Sequence, residues 1–375
     1  MLKKVISLLV CCSLCLPMVC MAEEAAPEAA VTTEKKVYTL TLEEAIEIAM
    51  ENNPQMAVCD YQKESYKYGL DAAKITKKNN KNTPIYASSG YEIGYIQEGY
   101  YIDMYETQLK LADYNKEKTK AGIIYNITTA YFNYKILEEL TEIAREQNEE
   151  ALANMETVKR MSELGMVSDV EMQNAQLAFD SAYNYLQSSL RIAENAKETF
   201  KVLLDFEEDC DLTLTSEIKL PEFTADLEKD IESAMTTRCD VITLEENLRL
   251  SEIHFKLTEK YATKNTAAYY SDLSTYMSNK QNAENSIKLI KVAIKQTYND
   301  VLTAKDNLVT SQRKVDIQKT LYEAAKVKFN MGMITNIELT EALTDYAMAE
   351  EEYERVKLNY LLAVEKYNYD VTIGL

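Results

Sequence analysis

Side chains able to carry out chemistry are few and scattered in this sequence. The chain holds one histidine, His254, and neither a cysteine nor a carboxylate stands at a local spacing that would complete a catalytic or metal-binding set with it. We expect this single histidine to face solvent from a helix. Beyond the N-terminal segment three cysteines remain, Cys59, Cys210 and Cys239, and their odd number and wide spacing fit neither a disulfide framework nor a metal site. We predict that they pack as small apolar residues.

The usual signatures of enzymes are missing from the sequence as well. It contains no glycine-rich phosphate loop, no nucleophile elbow and no pair of metal ligands at helical spacing. The 27 tyrosines, with no tryptophan, include runs at seven-residue spacing, which favours packing along a helix seam over an aromatic binding box. The sequence therefore predicts a protein that is not an enzyme and that holds no cofactor and no metal.

Two carboxylates are the best candidates for a functional site. Glu338 and Glu341 lie three residues apart in the first turn of a predicted helix, so they share one face of it. Capping chemistry accounts for Glu338, because acidic side chains are stabilising at a helix N-terminus, but it accounts less well for Glu341. If three copies of the chain met here, these carboxylates would form rings across a pore mouth, and such rings favour cations.

The helix that carries these carboxylates begins at a tip sequence that occurs twice. Leu164–Glu171 recurs 167 residues later as Met331–Glu338. In each copy a glycine, Gly165 or Gly332, can end one helix in a left-handed conformation. The serine or threonine three residues later can cap the next helix, and a glutamate three residues further on completes a capping box. The two tips therefore predict two long antiparallel helical hairpins.

Heptad patterns run along both predicted hairpins. Between about 285 and 330, large residues recur every seven positions from Ile287 to Phe329, and mostly small ones recur from Ile290 to Ala325. The next helix repeats these rows, and they appear again 167 residues earlier, which indicates an internal duplication. Small residues on one seam let helices approach closely while the large row packs into holes. A hairpin with two seams must pack against further helices, and this favours an oligomer.

Charge and the N-terminal segment narrow the class of protein. The formal net charge of -20 argues against nucleic acid as a partner, because such binding depends on lysine and arginine neutralising phosphates. Residues 1–22 are predicted to be a secretory signal peptide, with Lys3 and Lys4 ahead of a short apolar run. Cleavage after Ala22 competes with a lipoprotein site at Cys20.

The remaining chain divides by composition and pattern. We expect, in order, a flexible leader, a first repeat, an inter-repeat loop with a short strand, and a second repeat: 23–37, 38–205, 206–223 and 224–375. Within the first repeat, residues 76–105 are a candidate vestigial β segment, because Ile85 to Tyr95 alternate as a strand would.

Taken together, these features resemble the TolC family of outer membrane efflux proteins. Leu40–Pro54 is similar to the opening helix of that family, Gly165–Asp180 to its first tip and following helix, and Gly332–Ala342 to its second tip. The similarity covers roughly residues 38–375.

The resemblance implies an all-α dominated fold, in which two duplicated long antiparallel coiled-coil hairpins from each copy form a trimeric α-barrel. It implies a conduit of an efflux or type I secretion system, docked by its tips on a periplasmic adaptor protein and through it on an inner-membrane transporter. The implied adaptor-facing residues are Gly165, Val167, Ser168, Gly332, Ile334 and Thr335. Glu338 and Glu341 match the family's acidic entrance constriction, as glutamate rather than the more usual aspartate.

One departure from the family pattern affects the membrane end. The family places two strands per half in an outer-membrane β-barrel, and each strand needs about 9–11 residues of alternating apolar character. Here 76–105 supplies only a weak pair and 261–283 shows no convincing alternation. We therefore expect a reduced or absent outer-membrane β-barrel. A non-conducting coiled-coil spacer or scaffold of the cell envelope is the alternative to an exported conduit of the outer membrane and periplasm.

Overall fold

The computed structural model describes residues 36–85, 90–207, 210–264 and 266–374. The predicted signal peptide, and the predicted leader up to residue 35, lie outside these described residues. The first half contains, in chain order, β1 (Val37–Leu40), α1 (Leu42–Asn52), α2 (Pro54–Asn79), α3 (Gly90–Glu98), α4 (Tyr100–Glu163) and α5 (Asp169–Leu204). The second half contains β2 (Asp211–Leu214), α6 (Leu227–Thr237), α7 (Cys239–Tyr261), α8 (Ala267–Asn330) and α9 (Asn336–Thr372).

The two halves match element by element, as the sequence repeat predicts. α4 and α8 have 64 residues each, α1 and α6 have 11 each, and α5 and α9 have 36 and 37. At 1.5 Å per residue, α4 and α8 each span about 95 Å. The strands pair in parallel, with Val37 opposite Asp211. Because β2 is the counterpart of β1, the second set of elements begins inside the segment 206–223, ahead of the predicted boundary at residue 224.

The long helices lie side by side in a single layer. In the half of the layer that contains the tips, the lateral order is α5, α4, α9 and α8, and in the other half it is α2, α4, α7 and α8. Between these halves, β1, β2 and α1 pack on α4, while α6 packs on α8 and α9. The Tyr131 hydroxyl is buried here, where it donates to the Leu40 carbonyl at 3.1 Å and accepts from the Ser216 amide at 2.9 Å.

The predicted heptad rows form the seams of both hairpins. Every residue of the two rows of α8, from Ile287 to Phe329, is buried or half-buried, and so are the matching rows of α5 and α9. The tyrosines at seven-residue spacing in α9 therefore pack in a seam, as predicted. They are Tyr346, Tyr353, Tyr360 and Tyr367. No helix within the described ranges combines the length and apolar content that crossing a bilayer would require.

The predicted β segment over 76–105 is wrong for its described residues. α2 continues to Asn79, α3 covers Gly90–Glu98, and α4 starts at Tyr100; residues 86–89 lie outside the described part of the chain. The alternation was ambiguous because Tyr91 and Tyr95, four residues apart, share a helix face as readily as a strand face. Contacts distant in sequence decide between the two: Gly94 packs against the Tyr261 ring of α7.

Both tip glycines adopt the left-handed conformation that the sequence predicts. The φ angles of Gly165 and Gly332 are +72° and +70°. The Met166 amide donates to the Met161 carbonyl at 2.9 Å, and the second tip repeats this bond at the same length. A bond with this span satisfies one of the free carbonyls at a helix C-terminus, as in the Schellman motif.

Both predicted capping boxes also form. The Ser168 hydroxyl accepts from the Glu171 amide, and the Glu171 carboxylate accepts from the Ser168 amide at 2.8 Å. Thr335 and Glu338 make the same pair of bonds at the start of α9. At each tip, five residues connect the end of one helix to the start of the next, and the chain reverses its direction there.

We predict that Gly332→Val destabilises the second tip through its backbone alone. No atom lies within 4 Å of the position that a Cβ would occupy, so the cost is the left-handed conformation, roughly 1–2 kcal/mol. A melting midpoint lower by about 2–4 °C is the expected result in thermal unfolding. Gly332→Asn is the matched control, because asparagine tolerates this conformation, and equal midpoints for all three proteins would contradict the turn assignment.

Candidate functional site

Exposed apolar side chains surround both tips. Leu164 is 75% exposed at the first tip and Met333 is 69% exposed at the second. The exposed apolar side chains of the two tips are Leu164, Met166, Val170, Met331, Met333 and Ile337. Clustered exposed apolar residues mark interaction surfaces, and methionine adapts its shape to a partner. The tips therefore form a candidate contact surface.

The predicted tip residues divide into two groups in the structure. The exposed ones are Gly165, Ser168, Gly332 and Thr335. Val167 and Ile334 are half-buried beneath their turns, so the apolar contact surface comes mostly from their neighbours. Sequence reasoning missed those neighbours, although a large apolar residue stands on each side of the glycine in both copies and could have indicated them.

A groove of about 700 Å³ lies between the two hairpins behind the tips. α4 contributes Ala151, α5 contributes Leu177 and Ala178, and α9 contributes Leu343 and Met348. Since these three helices come from both hairpins, the groove exists only because the repeats pack together. Its lining, apolar over most of its surface, is continuous with the exposed side chains of the tips, because Ile337 belongs to both.

Polar atoms in the lining of this groove lack partners. The Asn154 amide nitrogen donates to Asn336, whose side chain is only 4% exposed, and this bond ties α4 to α9. The side-chain oxygen Oδ1 of Asn154 and the hydroxyl of Thr340 are buried without a hydrogen-bond partner among the described residues. Buried polar atoms are normally satisfied, so a bound group or water at this place would be stabilising.

The two candidate carboxylates have different roles in the structure. Glu338 accepts from the Thr335 amide at 2.8 Å and from its hydroxyl at 2.9 Å, and these bonds hold the pKa of Glu338 below its ordinary value. Glu341 takes no part in the capping box and lines the groove instead. Capping therefore accounts for Glu338 alone, and the carboxylate of Glu341 is available to the groove.

A second acidic feature, unforeseen from the sequence, lies further along the shaft. A cavity of about 520 Å³ is lined by glutamates of α4 and α9, namely Glu139, Glu142, Glu146, Glu350 and Glu354. Lys357 lies between two of these carboxylates, with its Nζ 2.6 Å from Glu354 and 3.3 Å from Glu139. The two helices are about 200 residues apart in sequence, so only tertiary packing brings these charges together.

Burial makes one of these glutamates easy to protonate. Removal from water raises the pKa of Glu354 to about 7, the neighbouring Glu139 carboxylate adds to the effect, and Lys357 opposes it. Burial raises the pKa of Glu350 as well. Nowhere in the described part of the chain do three or more metal-ligating side chains form a set that could hold a metal ion.

The single histidine is only partly exposed to solvent, and it makes side-chain contacts that the sequence did not predict. His254 is half-buried, with its ring 4.9 Å from that of Tyr95 and 5.3 Å from that of Tyr100. Its Nδ1 lies 3.8 Å from Asp272, whose carboxylate also accepts from the Thr258 hydroxyl at 2.7 Å. Asp272 comes from the next helix, so no local spacing could reveal it. The cluster joins α3, α4, α7 and α8 at the end away from the tips.

Glu354 makes stability depend on pH near neutrality. Its folded-state pKa of about 7 exceeds the ordinary 4.5, so the folded protein holds a proton that the unfolded chain releases. This contribution to stability is complete below pH 4.5 and disappears as the pH rises through about 7. We predict that Glu354→Gln raises stability at pH 8.5 by on the order of 1 kcal/mol and flattens the decline from pH 5 to 8.5.

Thermal unfolding across this pH range provides the test. Glu284→Gln is the matched control, because Glu284 is exposed on α8 and forms no ion pair within the described ranges. The stability of the Glu284→Gln protein should depend on pH in the same way as that of the wild type. An equally steep decline in the Glu354→Gln protein would show that Glu354 is ionised throughout.

Comparison with known proteins identifies the architecture. No protein-family model matches the chain, and no curated protein matches it in sequence. Among solved structures, the Campylobacter jejuni CmeC outer membrane channel matches with a TM-score of 0.71 and 14% identity, over 89% of this chain and 86% of that chain. The Vibrio cholerae outer membrane protein VceC matches with a TM-score of 0.70 and 11% identity, over 89% and 96%. The open state of the Neisseria gonorrhoeae MtrE outer membrane channel matches with a TM-score of 0.66 and 14% identity, over 89% of each chain.

These likenesses extend over nearly the whole described chain and over most of each channel. At 10–14% identity they establish the fold, with its paired long hairpins and its two matched halves. The all-α dominated class predicted from the heptads and tips is confirmed. This chain therefore has the fold of the TolC family of outer membrane efflux proteins, as its tip and helix motifs predict.

Proposed function

We propose that this protein is the exported conduit of an efflux or type I secretion system, built as a homotrimer in the outer part of the cell envelope. The observation that carries the proposal is the apolar character of both edges of the helical layer. α2 forms one edge, and its exposed apolar residues follow a heptad spacing from Val58 through Tyr61 and Tyr68 to Ile75. Tyr68 is 70% exposed, although it lies in the middle of a helix.

The opposite edge is formed by α8 along its whole length, so it would meet α2 of the next copy in the half away from the tips and α5 of the next copy in the tip half. Its exposed apolar residues lie on the side away from the hairpin seam and include Leu289, Val309, Ile317 and Val327. A layer with one apolar edge on each side is completed when copies join edge to edge around an axis, because each copy then buries both edges. Closure of the curved layer gives a tube walled by the long helices.

The tips supply the docking end of this conduit. Their exposed leucine, valine, isoleucine and methionine side chains and the adjoining groove fit an apolar helical partner, which we assign as a periplasmic adaptor protein linked to an inner-membrane transporter. The CmeC and MtrE proteins are described as outer membrane channels, which supports a transport role and a non-catalytic one for this chain.

Light scattering on the purified protein tests the assembly. We predict the mass of a trimer for the wild type, and a monomer for Ile317→Glu or Tyr68→Glu, because a buried unpaired carboxylate at the edge would cost several kcal/mol. Leu152→Glu is the control, since this residue lies on α4, inside the layer, and it should still give a trimer. A monomeric or dimeric wild type would overturn the conduit, and a trimer imaged without a lumen would favour the envelope spacer.

Glu338 and Glu341 provide a test of conduction. In a trimer they would place six carboxylates around the tip entrance, and we predict that Glu338→Gln combined with Glu341→Gln lowers the preference for cations in single-channel recordings. Glutamine keeps the capping box intact, so the turn is retained. Glu171→Gln is the matched control, because it makes the same change at the capping position of the other tip. Unchanged selectivity in the double variant would leave these glutamates with only local roles.

A further inference from the structure

The groove behind the tips has the size and the lining of a site for a small molecule. Its volume of about 700 Å³ lies within the range of about 300–1,000 Å³ that is usual for such sites. Apolar side chains from α4, α5 and α9 cover most of its surface. These three helices belong to one chain, so a single protomer supplies the whole lining, and neither a trimer nor an adaptor is needed to complete the groove.

The charged side chains that line the groove are all acidic. They are Glu341 and Glu351 of α9, and no lysine, arginine or histidine is among the lining residues. Burial and a hydrogen bond to the Glu351 carboxylate raise the pKa of Tyr185 to about 12, so this hydroxyl stays protonated and donates to Glu351. Glu341 is exposed and forms no ion pair with any residue that the structure describes. The groove therefore favours a positively charged ligand, with Glu341 as its partner.

Two buried polar atoms of the lining have hydrogen-bonding capacity that no described residue uses. They are Oδ1 of Asn154 and the hydroxyl of Thr340. Thr340 directly precedes Glu341 in α9, and Asn154 is bonded to Asn336, four residues before Thr340 on the same helix. Because the amide oxygen of Asn154 can only accept, a ligand that satisfies it must carry an N–H or O–H donor. A protonated amine supplies both this donor and the positive charge.

From this combination we propose that the groove binds a small organic cation, which consists of an apolar body and a protonated amine with free N–H donors. The apolar body packs against the leucine, alanine and methionine side chains of α4, α5 and α9. The amine lies beside Glu341 and donates to Asn154 and Thr340. Hydrogen bonds from a charged donor are roughly twice as strong as neutral ones, so the amine contributes specificity as well as affinity.

A bound cation would join the two hairpins, because α5 belongs to the first hairpin and α9 to the second. It would also keep an adaptor helix out of the groove. This regulatory consequence rests on the proposed function, whereas binding of the cation itself does not. Light scattering on the sample used for the binding experiment records its oligomeric state, so failure to form a trimer and failure to bind the cation are distinguishable outcomes.

Fluorescence anisotropy of 9-aminoacridine with the purified protein tests the proposal. This probe combines an apolar ring system with a positive charge and N–H donors at neutral pH. We expect saturable binding of one cation per chain. Two competitors with the same rings provide matched controls: acridine, which lacks the charge and the donors, and acridine-9-carboxylate, which has the opposite charge. Each should bind at least about tenfold more weakly than 9-aminoacridine.

Two substitutions in the groove test the proposed contacts. Thr340→Val removes the partnerless hydroxyl at nearly constant shape, Glu341→Gln removes the charge, and each should weaken binding of 9-aminoacridine about tenfold. A buried hydroxyl without a partner is destabilising, so the Thr340→Val protein should unfold at the temperature of the wild type or above it. Asp345→Asn is the matched control, because Asp345 is exposed one turn further along α9, outside the lining, and this protein should bind like the wild type.

A third substitution tests whether the cation occupies this groove. Ala178→Leu narrows the groove without changing any charge and should weaken binding of 9-aminoacridine, and wild-type affinity in this protein would overturn the proposal. The absence of saturable binding to the wild type would overturn it as well, and so would equal affinity for acridine-9-carboxylate. Equal weakening by Asp345→Asn and Glu341→Gln would contradict it by assigning the effect to overall charge.

Discussion

The rest of the structure depends on the close seam between the two helices of each hairpin. Alternating rows of small and large residues let α8 and α9, like α4 and α5, pack along the whole length of the shorter helix. This register keeps the long helices side by side, so the chain forms one layer. A single layer cannot bury both of its edges, and the apolar stripes on α2 and α8 follow from that geometry. The oligomer that we propose would thus be a consequence of the seam.

The types of exposed side chain also change along the axis of the layer. The tips carry exposed leucine, methionine and isoleucine, the shaft carries an excess of carboxylates, and the opposite end carries lysine and tyrosine. Because the shaft is about 95 Å long, the two ends lie many Debye lengths apart and their charges do not influence each other. A molecule with such distinct ends is suited to join two different partners.

Buried polar groups define the middle of the molecule. Tyr131 joins β1, α4 and the chain after β2, and the Tyr367 hydroxyl donates to Asp230 at 2.7 Å to join α9 to α6. Each of these hydroxyls is buried and satisfied, so each fixes the place where a short element packs on the long helices. The five glutamates around Lys357 share this one lysine as the cation in the lining of their cavity. Burial raises the pKa of Glu354 to about 7, so the stability of the shaft depends on pH.

The sequence by itself determined the hairpins, their duplication and their turns. These features are local: heptad spacing, a glycine at each tip, and the capping pairs Ser168–Glu171 and Thr335–Glu338. Residues close together in sequence form each of them, so the sequence alone is enough to predict them. Tertiary structure alone decided that 90–98 is helical, that His254 meets Asp272, and that α4 and α9 share an acidic cavity. These outcomes depend on residues up to some 200 positions apart, and no periodicity in the sequence records which helices become neighbours.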